Sequence, residues 1–273
     1  MTPAALLADE LMAARDARAA RVTPPSAREG GFDLATAYAV EAELVRRRRA
    51  AGRATLGVKV GYANKAMWRV LKLETLVWAH LYDDTVRHAE SGQASLSCGA
   101  MIAPKIEPEI VFKLAAPVPA GVADAATALA HVEWIALGFE IIDCVYPGWT
   151  FQPADFVAAF GLHAALVIGP PTRVTADAIP ALVEALASFK ISLRRGDEVV
   201  AAGSGKNALR SPALCLAELA TARGRHPDAT PLSAGDLVSS GTLTDSQLIH
   251  ADERWSTHVE GLDVAPLTLD VVT

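Results

Sequence analysis

The stretch Ala103–Leu114, "APKIEPEIVFKL", decides the fold. Glu107 and Glu109 occupy one parity of the stretch and apolar residues occupy the other, with Pro108 between the two acids. Side chains of a β-strand alternate between two faces, so the pattern predicts a strand with both carboxylates on one face. Their Cβ atoms would lie about 6–7 Å apart. That spacing suits two carboxylates on one ion, and it equally suits two carboxylates in water.

Two further charged residues interrupt apolar runs. Glu140 lies within "LGFEIIDC" (Leu137–Cys144), and a buried carboxylate there would need a cation or several donors. Lys59 lies within "GVKVGY" (Gly57–Tyr62) and either faces solvent or acts as an acid–base group. Three inward carboxylates without clustered His or Cys would form a hard oxygen site, which favours Mg²⁺ or Mn²⁺ over Zn²⁺.

The order of elements predicts the fold class. Residues 3–20 have helical periodicity, and Asp33 is a candidate N-cap for a helix over 34–51. That helix ends in "RRRR" (Arg46–Arg49), which we interpret as cations complementing a helix C-terminus rather than as a phosphate or RNA patch. A strand-rich body with inserted helices follows. The pattern favours an α+β fold with a mixed or antiparallel sheet, divided into a helical region at 1–52 and a catalytic body at 53–273, packed as one unit.

Several shorter elements are predicted within the body. Residues 124–136 read as a helix, and 190–205 read as a hairpin that turns at Gly196–Asp197. A helix over 208–224 should stop at Gly224.

Composition excludes several classes of function. The 273 residues carry a formal net charge of -6, which does not favour nucleic acid, and no apolar run approaches the ~20 residues that span a bilayer. The three scattered cysteines predict buried, reduced thiols, so we expect a cytoplasmic protein. "GSGK" (Gly203–Lys206) lacks the rest of a phosphate loop, and no dinucleotide fingerprint, nucleophile elbow or zinc-ligand spacing is present.

The order of these motifs resembles the fumarylacetoacetate hydrolase superfamily, in particular its 2-oxopent-4-enoate hydratase / 4-oxalocrotonate decarboxylase branch. The "PKIEPEI" and "FEIID" segments carry the resemblance, together with "KVG" and "GDLVSSGT". It implies a mixed β-roll with an N-terminal helical region. It also implies that Glu107, Glu109 and Glu140 bind Mg²⁺ or Mn²⁺, that Lys59 is catalytic, and that Ser240 and Gly241 contact the substrate.

The resemblance implies hydration of a 2-hydroxydienoic or 2-oxo-enoic acid in aromatic catabolism, through an enolate, by a homo-oligomer. Decarboxylation of a 2-oxo dicarboxylate and C–C hydrolysis of an acylpyruvate would use the same site, because all three reactions pass through an enolate. A non-catalytic protein that binds a keto acid remains a different class of alternative.

The sequence also departs from the family pattern. Val77 stands where relatives carry an acid, and Phe160 stands where they carry Asn, with His163 nearby. We expect Val77, Phe160 and His163 to surround the substrate tail, so that the metal and enolate chemistry is kept while the distal pocket differs.

Overall fold

The N-terminal segment forms two helices that pack on each other. The computed structural model describes residues 2–273; in it α1 spans Pro3–Asp16 and α2 spans Leu34–Ala50. The Asp33 carboxylate accepts a hydrogen bond from the backbone N–H of Thr36 at 2.8 Å, which confirms the predicted N-cap. The division at residue 52 stays a prediction.

Ion pairs account for much of the arginine run. Arg46 and Arg47 each pair with Glu43 at 2.7 Å, and Arg48 lies 2.5 Å from Asp84. These contacts fit the interpretation that the run stabilises the end of α2.

The body contributes five further helices and fourteen strands. The helices are α3 (Lys65–Leu71), α4 (Ala125–Leu129), α5 (Pro153–Ala158), α6 (Ile179–Ser188) and α7 (Pro212–Arg225). The strands are β1 (Thr55–Gly61), β2 (Val77–Tyr82), β3 (Val86–His88), β4 (Gln93–Ser97), β5 (Lys105–Leu114), β6 (Val132–Ile142), β7 (His163–Ile168), β8 (Thr172–Arg173), β9 (Lys190–Arg195), β10 (Glu198–Ser204), β11 (Leu237–Ser239), β12 (Gln247–Leu248), β13 (Arg254–Glu260) and β14 (Thr268–Val272).

Two sheets organise these strands. The larger has the order β2-β1-β11-β5-β6-β7-β3, with β12 and β8 added to β5 and β6, and the smaller has the order β10-β9-β13-β14-β4. The pairs β1–β11, β3–β7 and β4–β14 are parallel, and the other pairs are antiparallel. The predicted α+β fold with a mixed sheet is therefore confirmed, as is the β9–β10 hairpin.

β5 lies in the middle of the larger sheet and is buried on both faces. The solvated alternative for its acidic face is therefore wrong: Glu109 is fully buried and Glu107 is half-buried. Pro108 is tolerated because β11 pairs with residues 111–113 and β12 with residues 105–106, which leaves a gap in strand pairing between them. The Pro108 carbonyl faces that gap and accepts a hydrogen bond from the Leu243 N–H at 2.9 Å.

Two element predictions were wrong at their ends. The helix predicted over 124–136 ends at Leu129, because the β-branched and aromatic residues that follow enter β6. Gly224 does not stop α7, which continues to Arg225. A Cβ on Gly224 would lie 2.3 Å from the Ala120 Cβ, so the glycine allows a close approach instead. Across residues 2–273, no helix combines the length and apolar character needed to span a membrane.

Candidate metal centre

Cross-strand register brings the three acids together. β5 and β6 pair antiparallel with Glu107 opposite Glu140 and Glu109 opposite Gly138. One carboxylate oxygen from each of Glu107, Glu109 and Glu140 lies within 4.8 Å of the others. The pairing of β5 with β6 thus brings together three acids from two distant parts of the sequence.

Lys59 reaches the same point from β1. It is 1% exposed, so the solvent-facing alternative for this side chain is wrong. Its Nζ lies 2.8 Å from Glu140 Oε2 and donates a hydrogen bond to the Gly161 carbonyl at 3.0 Å. The Lys59 ammonium is therefore held by two acceptors, the Glu140 carboxylate and the Gly161 carbonyl.

Glu109 is held by the last residue of β11 and by the segment that follows it. The Ser239 hydroxyl and the Gly241 N–H both donate to Glu109 Oε2, at 2.5 and 2.9 Å. The other oxygen, Oε1, is buried and has no hydrogen-bond partner among residues 2–273. A buried carboxylate oxygen without a donor is costly unless a cation satisfies it.

Burial sets the acid–base properties of the cluster. Burial raises the pKa of Glu107 to about 7, although the nearby Lys59 ammonium acts to lower it. Burial also raises the pKa of Glu109 well above the usual value, and the negative charges of Glu140 and Glu107 raise it further. Burial would also raise the pKa of Glu140, but the Lys59 ammonium and a hydrogen bond from His163 outweigh it and lower that pKa. Burial would lower the pKa of Lys59, but the three carboxylates raise it instead.

His163 supports Glu140 from the side opposite its contact with Lys59. His163 Nδ1 lies 3.0 Å from Glu140 Oε1, and Nε2 lies 2.9 Å from the Thr85 hydroxyl. Burial lowers the pKa of His163, so the ring is neutral and Nδ1 is the nitrogen that donates to the carboxylate. The contact fixes the direction in which Glu140 points.

The cluster fits a hard divalent cation. It offers three carboxylates and one unpartnered buried oxygen, and it contains one ammonium to offset the negative charge. Oxygen ligands of this kind suit Mg²⁺ and Mn²⁺. Lys59 already pairs with Glu140, so an ion would share that carboxylate with the ammonium.

A cavity of about 490 Å³ opens beside the cluster. Lys59 and Glu107 line it together with Gly241. A small acid entering this cavity would meet the ammonium and an acidic ligand at the same end.

The other sequence-predicted residues lie in different surroundings. The Ser240 hydroxyl is buried without a hydrogen-bond partner among residues 2–273. The neighbouring Ser239 contacts Glu109 instead. Adjacent residues of an extended chain point to opposite faces, so the two hydroxyls do not reach the same group. Gly241 lines the cavity.

The lining of this cavity does not include Val77, Phe160 or His163, which differs from our expectation. Val77 lies opposite Gly61 in the β1–β2 pair and is buried. Phe160 and His163 line a separate cavity of about 360 Å³. Phe160 has a left-handed backbone (φ 59°), and Arg15 lies 5.0 Å from its ring centroid.

Sequence reasoning missed several residues that line the rest of the cavity. They come from separate segments of the chain and include Met67, Lys105, Trp149 and Phe151. Trp149 follows a Pro-Gly pair, which is a turn signal but carries no information about a cavity.

Known proteins with similar sequences and structures include hydratases and a decarboxylase. The family model described as "Fumarylacetoacetate (FAA) hydrolase C-terminal" matches residues 75–268. The chain is 28% identical to 2-keto-4-pentenoate hydratase 2 of Dechloromonas aromatica, over 96% of this chain and 95% of that protein. It is 30% identical to 2-hydroxypent-2,4-dienoate hydratase of Pseudomonas putida, over 80% of this chain and 94% of that protein.

A solved structure shares the fold over nearly the whole chain. It is 4-oxalocrotonate decarboxylase from Pseudomonas putida G7, complexed with magnesium and adipate. The TM-score is 0.86 at 22% sequence identity, and the match covers 98% of this chain and 97% of that one. The matched family model covers well over half of the sequence, and the chain therefore belongs to the fumarylacetoacetate hydrolase family.

Proposed function

We propose that this protein is a divalent-metal-dependent hydratase of 2-hydroxydienoic or 2-oxo-enoic acids in aromatic catabolism. The observation that carries the proposal is the buried cluster of Glu107, Glu109 and Glu140 with Lys59 in contact. Similarity to curated hydratases over most of the chain supports the choice of reaction.

The three carboxylates would hold Mg²⁺ or Mn²⁺, with Glu109 Oε1 as the oxygen that lacks any other partner among residues 2–273. When bound, the ion supplies Lewis-acid stabilisation of the negative charge that develops on a 2-oxo acid. His163 and Ser239 keep two of the carboxylates, Glu140 and Glu109, in position.

Lys59 would move the protons. Ketonisation of the dienol transfers its hydroxyl proton to the carbon chain, and addition of water then places a hydroxyl on one carbon and a proton on its neighbour. Lys59 Nζ carries a proton next to the cavity, and the Gly161 carbonyl and Glu140 hold that nitrogen in place. In each step the lysine gives one proton to carbon and regains one, from the dienol hydroxyl in the first step and from the attacking water in the second, so the enzyme ends each step as it began.

Product analysis tests the reaction. Proton NMR of 2-hydroxypenta-2,4-dienoate incubated with the protein and Mg²⁺ should show a new carbon-bound hydroxyl and no loss of carbon. Release of CO₂ from a 2-oxo dicarboxylate would assign the decarboxylase reaction, and two acids from an acylpyruvate would assign the hydrolase. Binding of 2-oxo acids without turnover of any of these compounds would favour the non-catalytic alternative.

We further propose that the protein is a cytoplasmic homo-oligomer that uses Mg²⁺ or Mn²⁺. Resemblance to the family supports both points, and the buried thiols of Cys144 and Cys215 fit a reducing compartment. Light scattering of the purified protein tests the assembly, because a monomeric mass would contradict it.

A further inference from the structure

We propose that the cavity beside the acid cluster selects substrates whose tail ends in a planar apolar ring, and that Trp149 determines this specificity. The inference rests on the proposed function, because the acid cluster is taken to hold the reacting head of the substrate. It adds a substrate class that is larger than the short-chain acids named for the curated relatives.

The strand that carries the acids also leads toward Trp149. Lys105 lies two residues before Glu107 on β5, so both side chains point to the same face, about 6–7 Å apart. Lys105 Nζ lies 4.1 Å from the centroid of the Trp149 ring. The indole therefore stands outward from Glu107 along the cavity, in the direction that a substrate tail would take.

Two pairs of aromatic side chains line this space. Phe156 lies near the head of the site, with Lys59 Nζ 4.9 Å from its ring centroid, and Tyr62 packs edge-on against it at 5.4 Å. Trp149 and Phe151 form the second pair, with centroids 6.4 Å apart. Aromatic linings of this type bind planar apolar groups by stacking and burial. The volume of about 490 Å³ lies within the range of pockets for drug-sized ligands and greatly exceeds the needs of a five-carbon acid.

Three of the nine non-glycine residues with a positive φ among residues 2–273 line this cavity. Tyr62, Trp149 and Leu162 line the cavity and have φ of 59°, 57° and 57°, a left-handed conformation that bulky residues rarely adopt. Such residues cost about 1–3 kcal/mol each and occur preferentially at functional sites. At these three positions the strained backbone carries a large side chain that lines the cavity.

Trp149 also presents an unused donor. Its indole Nε1 is buried and has no hydrogen-bond partner among residues 2–273. An oxygen atom on the substrate ring would accept that hydrogen bond. A tail that ends in a carboxylate is repelled by Asp245 and attracted by the Lys105 ammonium, both of which line the cavity, so the test includes a dicarboxylate probe.

Direct binding of 2-oxo acids tests the specificity independently of turnover. The probes are 2-oxopentanoate, 2-oxo-5-phenylpentanoate, its 4-hydroxyphenyl analogue and 2-oxoadipate, each titrated by calorimetry into the protein in the presence of Mg²⁺. We expect the phenyl acid to bind at least about tenfold more tightly than 2-oxopentanoate to the unmodified protein. Trp149→Ala should remove most of that preference, because it removes the ring on which the phenyl group stacks.

Two further variants separate stacking from hydrogen bonding and from general damage. Trp149→Phe should keep the preference for the phenyl acid and lose any advantage of the 4-hydroxyphenyl acid over it, because only the N–H is removed. Trp134→Ala is the control, since Trp134 lies on β6 and does not line the cavity, and it should leave all ratios unchanged.

Equal binding of the phenyl and five-carbon acids, or tighter binding of 2-oxoadipate than of the phenyl acid, would overturn the specificity proposal. Either result can be read from the unmodified protein, so the test does not depend on Trp149→Ala folding. Absence of any turnover with Mg²⁺ would instead count against the proposed function.

Discussion

Lys59 offsets part of the negative charge of Glu107, Glu109 and Glu140. Removing its charge should therefore lower turnover and raise the affinity for a metal ion. Lys59→Met keeps the length of the side chain and removes its charge. Turnover should fall by about 10²–10⁴-fold, the usual contribution of a positioned acid–base group. Affinity for Mn²⁺ should rise several-fold, because the ammonium no longer repels the ion.

Both quantities can be measured on one preparation, by steady-state kinetics and by calorimetric titration of Mn²⁺. A variant that lost turnover and metal binding together would mean that Lys59 supports the acid cluster structurally. A variant that kept full turnover would remove Lys59 from the proposed chemistry.

His163 should act as a positioning residue through its hydrogen bond to Glu140. We expect His163→Leu to weaken Mn²⁺ binding by about 10–100-fold, the usual effect of removing a residue that orients a ligand. His163→Asn should recover part of the loss, because its amide can donate in place of Nδ1. Exposed His258 provides the control variant, His258→Gln, which should bind the ion normally. Equal affinity in His163→Leu and in the unmodified protein would contradict this role.

At the scale of the element, Gly57 fixes the pairing of β1 with β11. A Cβ at this position would lie 1.9 Å from the Leu237 carbonyl oxygen, and the glycine φ is +143°. We expect Gly57→Ala to lower the free energy of unfolding by about 3 kcal/mol. Turnover should fall as well, because Lys59 lies two residues further along the same strand.

Gly121→Ala is the matched control for that variant. Gly121 also has a positive φ, of +87°, but its Cβ would meet open space. Gly121→Ala should lower the free energy of unfolding by about 1 kcal/mol, the penalty for placing alanine in a left-handed conformation. Similar urea midpoints for the two variants would show that the close contact at Leu237 has no energetic weight.

Local sequence patterns predicted helices and strands well where a segment had a clear periodicity or a clear capping residue. The alternation around Glu107 identified β5, and Asp33 identified the start of α2. The prediction failed at residues 132–136, since an alanine-rich helical pattern runs directly into β6. The burial of Glu109 and the partial burial of Glu107 depend on the central place of β5 in the sheet, which the pattern of one strand cannot reveal.

For the whole molecule, ion binding and folding stability should be coupled through pH. In the metal-free protein, burial raises the pKa of Glu107 to about 7, so the folded state holds a proton that the unfolded chain has already lost. The proton on Glu107 makes its full contribution to the stability of the fold below about pH 4.5, and this contribution is lost as the pH rises through about 7. Divalent ions replace the proton, so their stabilising effect should grow over the same interval.

Thermal melts with and without Mg²⁺ at pH 5.5 and pH 8 measure this coupling. At a hundred times the dissociation constant, the ion should add about 2.7 kcal/mol. The melting temperature should increase more at pH 8 than at pH 5.5 for a fixed concentration of Mg²⁺. The same increase at both values would mean that the ion binds without displacing protons from the cluster.

The chemistry of the site and its specificity were predictable to different degrees. Glu140 and Lys59 stood out because each is a charged residue in an apolar run, and the structure brings both together with Glu107 and Glu109. The lining residues Met67, Lys105 and Trp149 come from distant segments and have no shared period in the sequence. Their assembly depends on tertiary packing, which a scan along the chain does not detect.

The most direct test of the account is the dependence of hydration on Mg²⁺. Protein treated with a chelator should not hydrate 2-hydroxypenta-2,4-dienoate, and stepwise addition of Mg²⁺ should restore the rate to saturation. Glu109→Gln should need at least about tenfold more Mg²⁺, because it removes a charged ligand from a buried site. A rate that survives chelation, or the same Mg²⁺ requirement in Glu109→Gln and the unmodified protein, would contradict the assignment of the acid cluster as the catalytic metal centre.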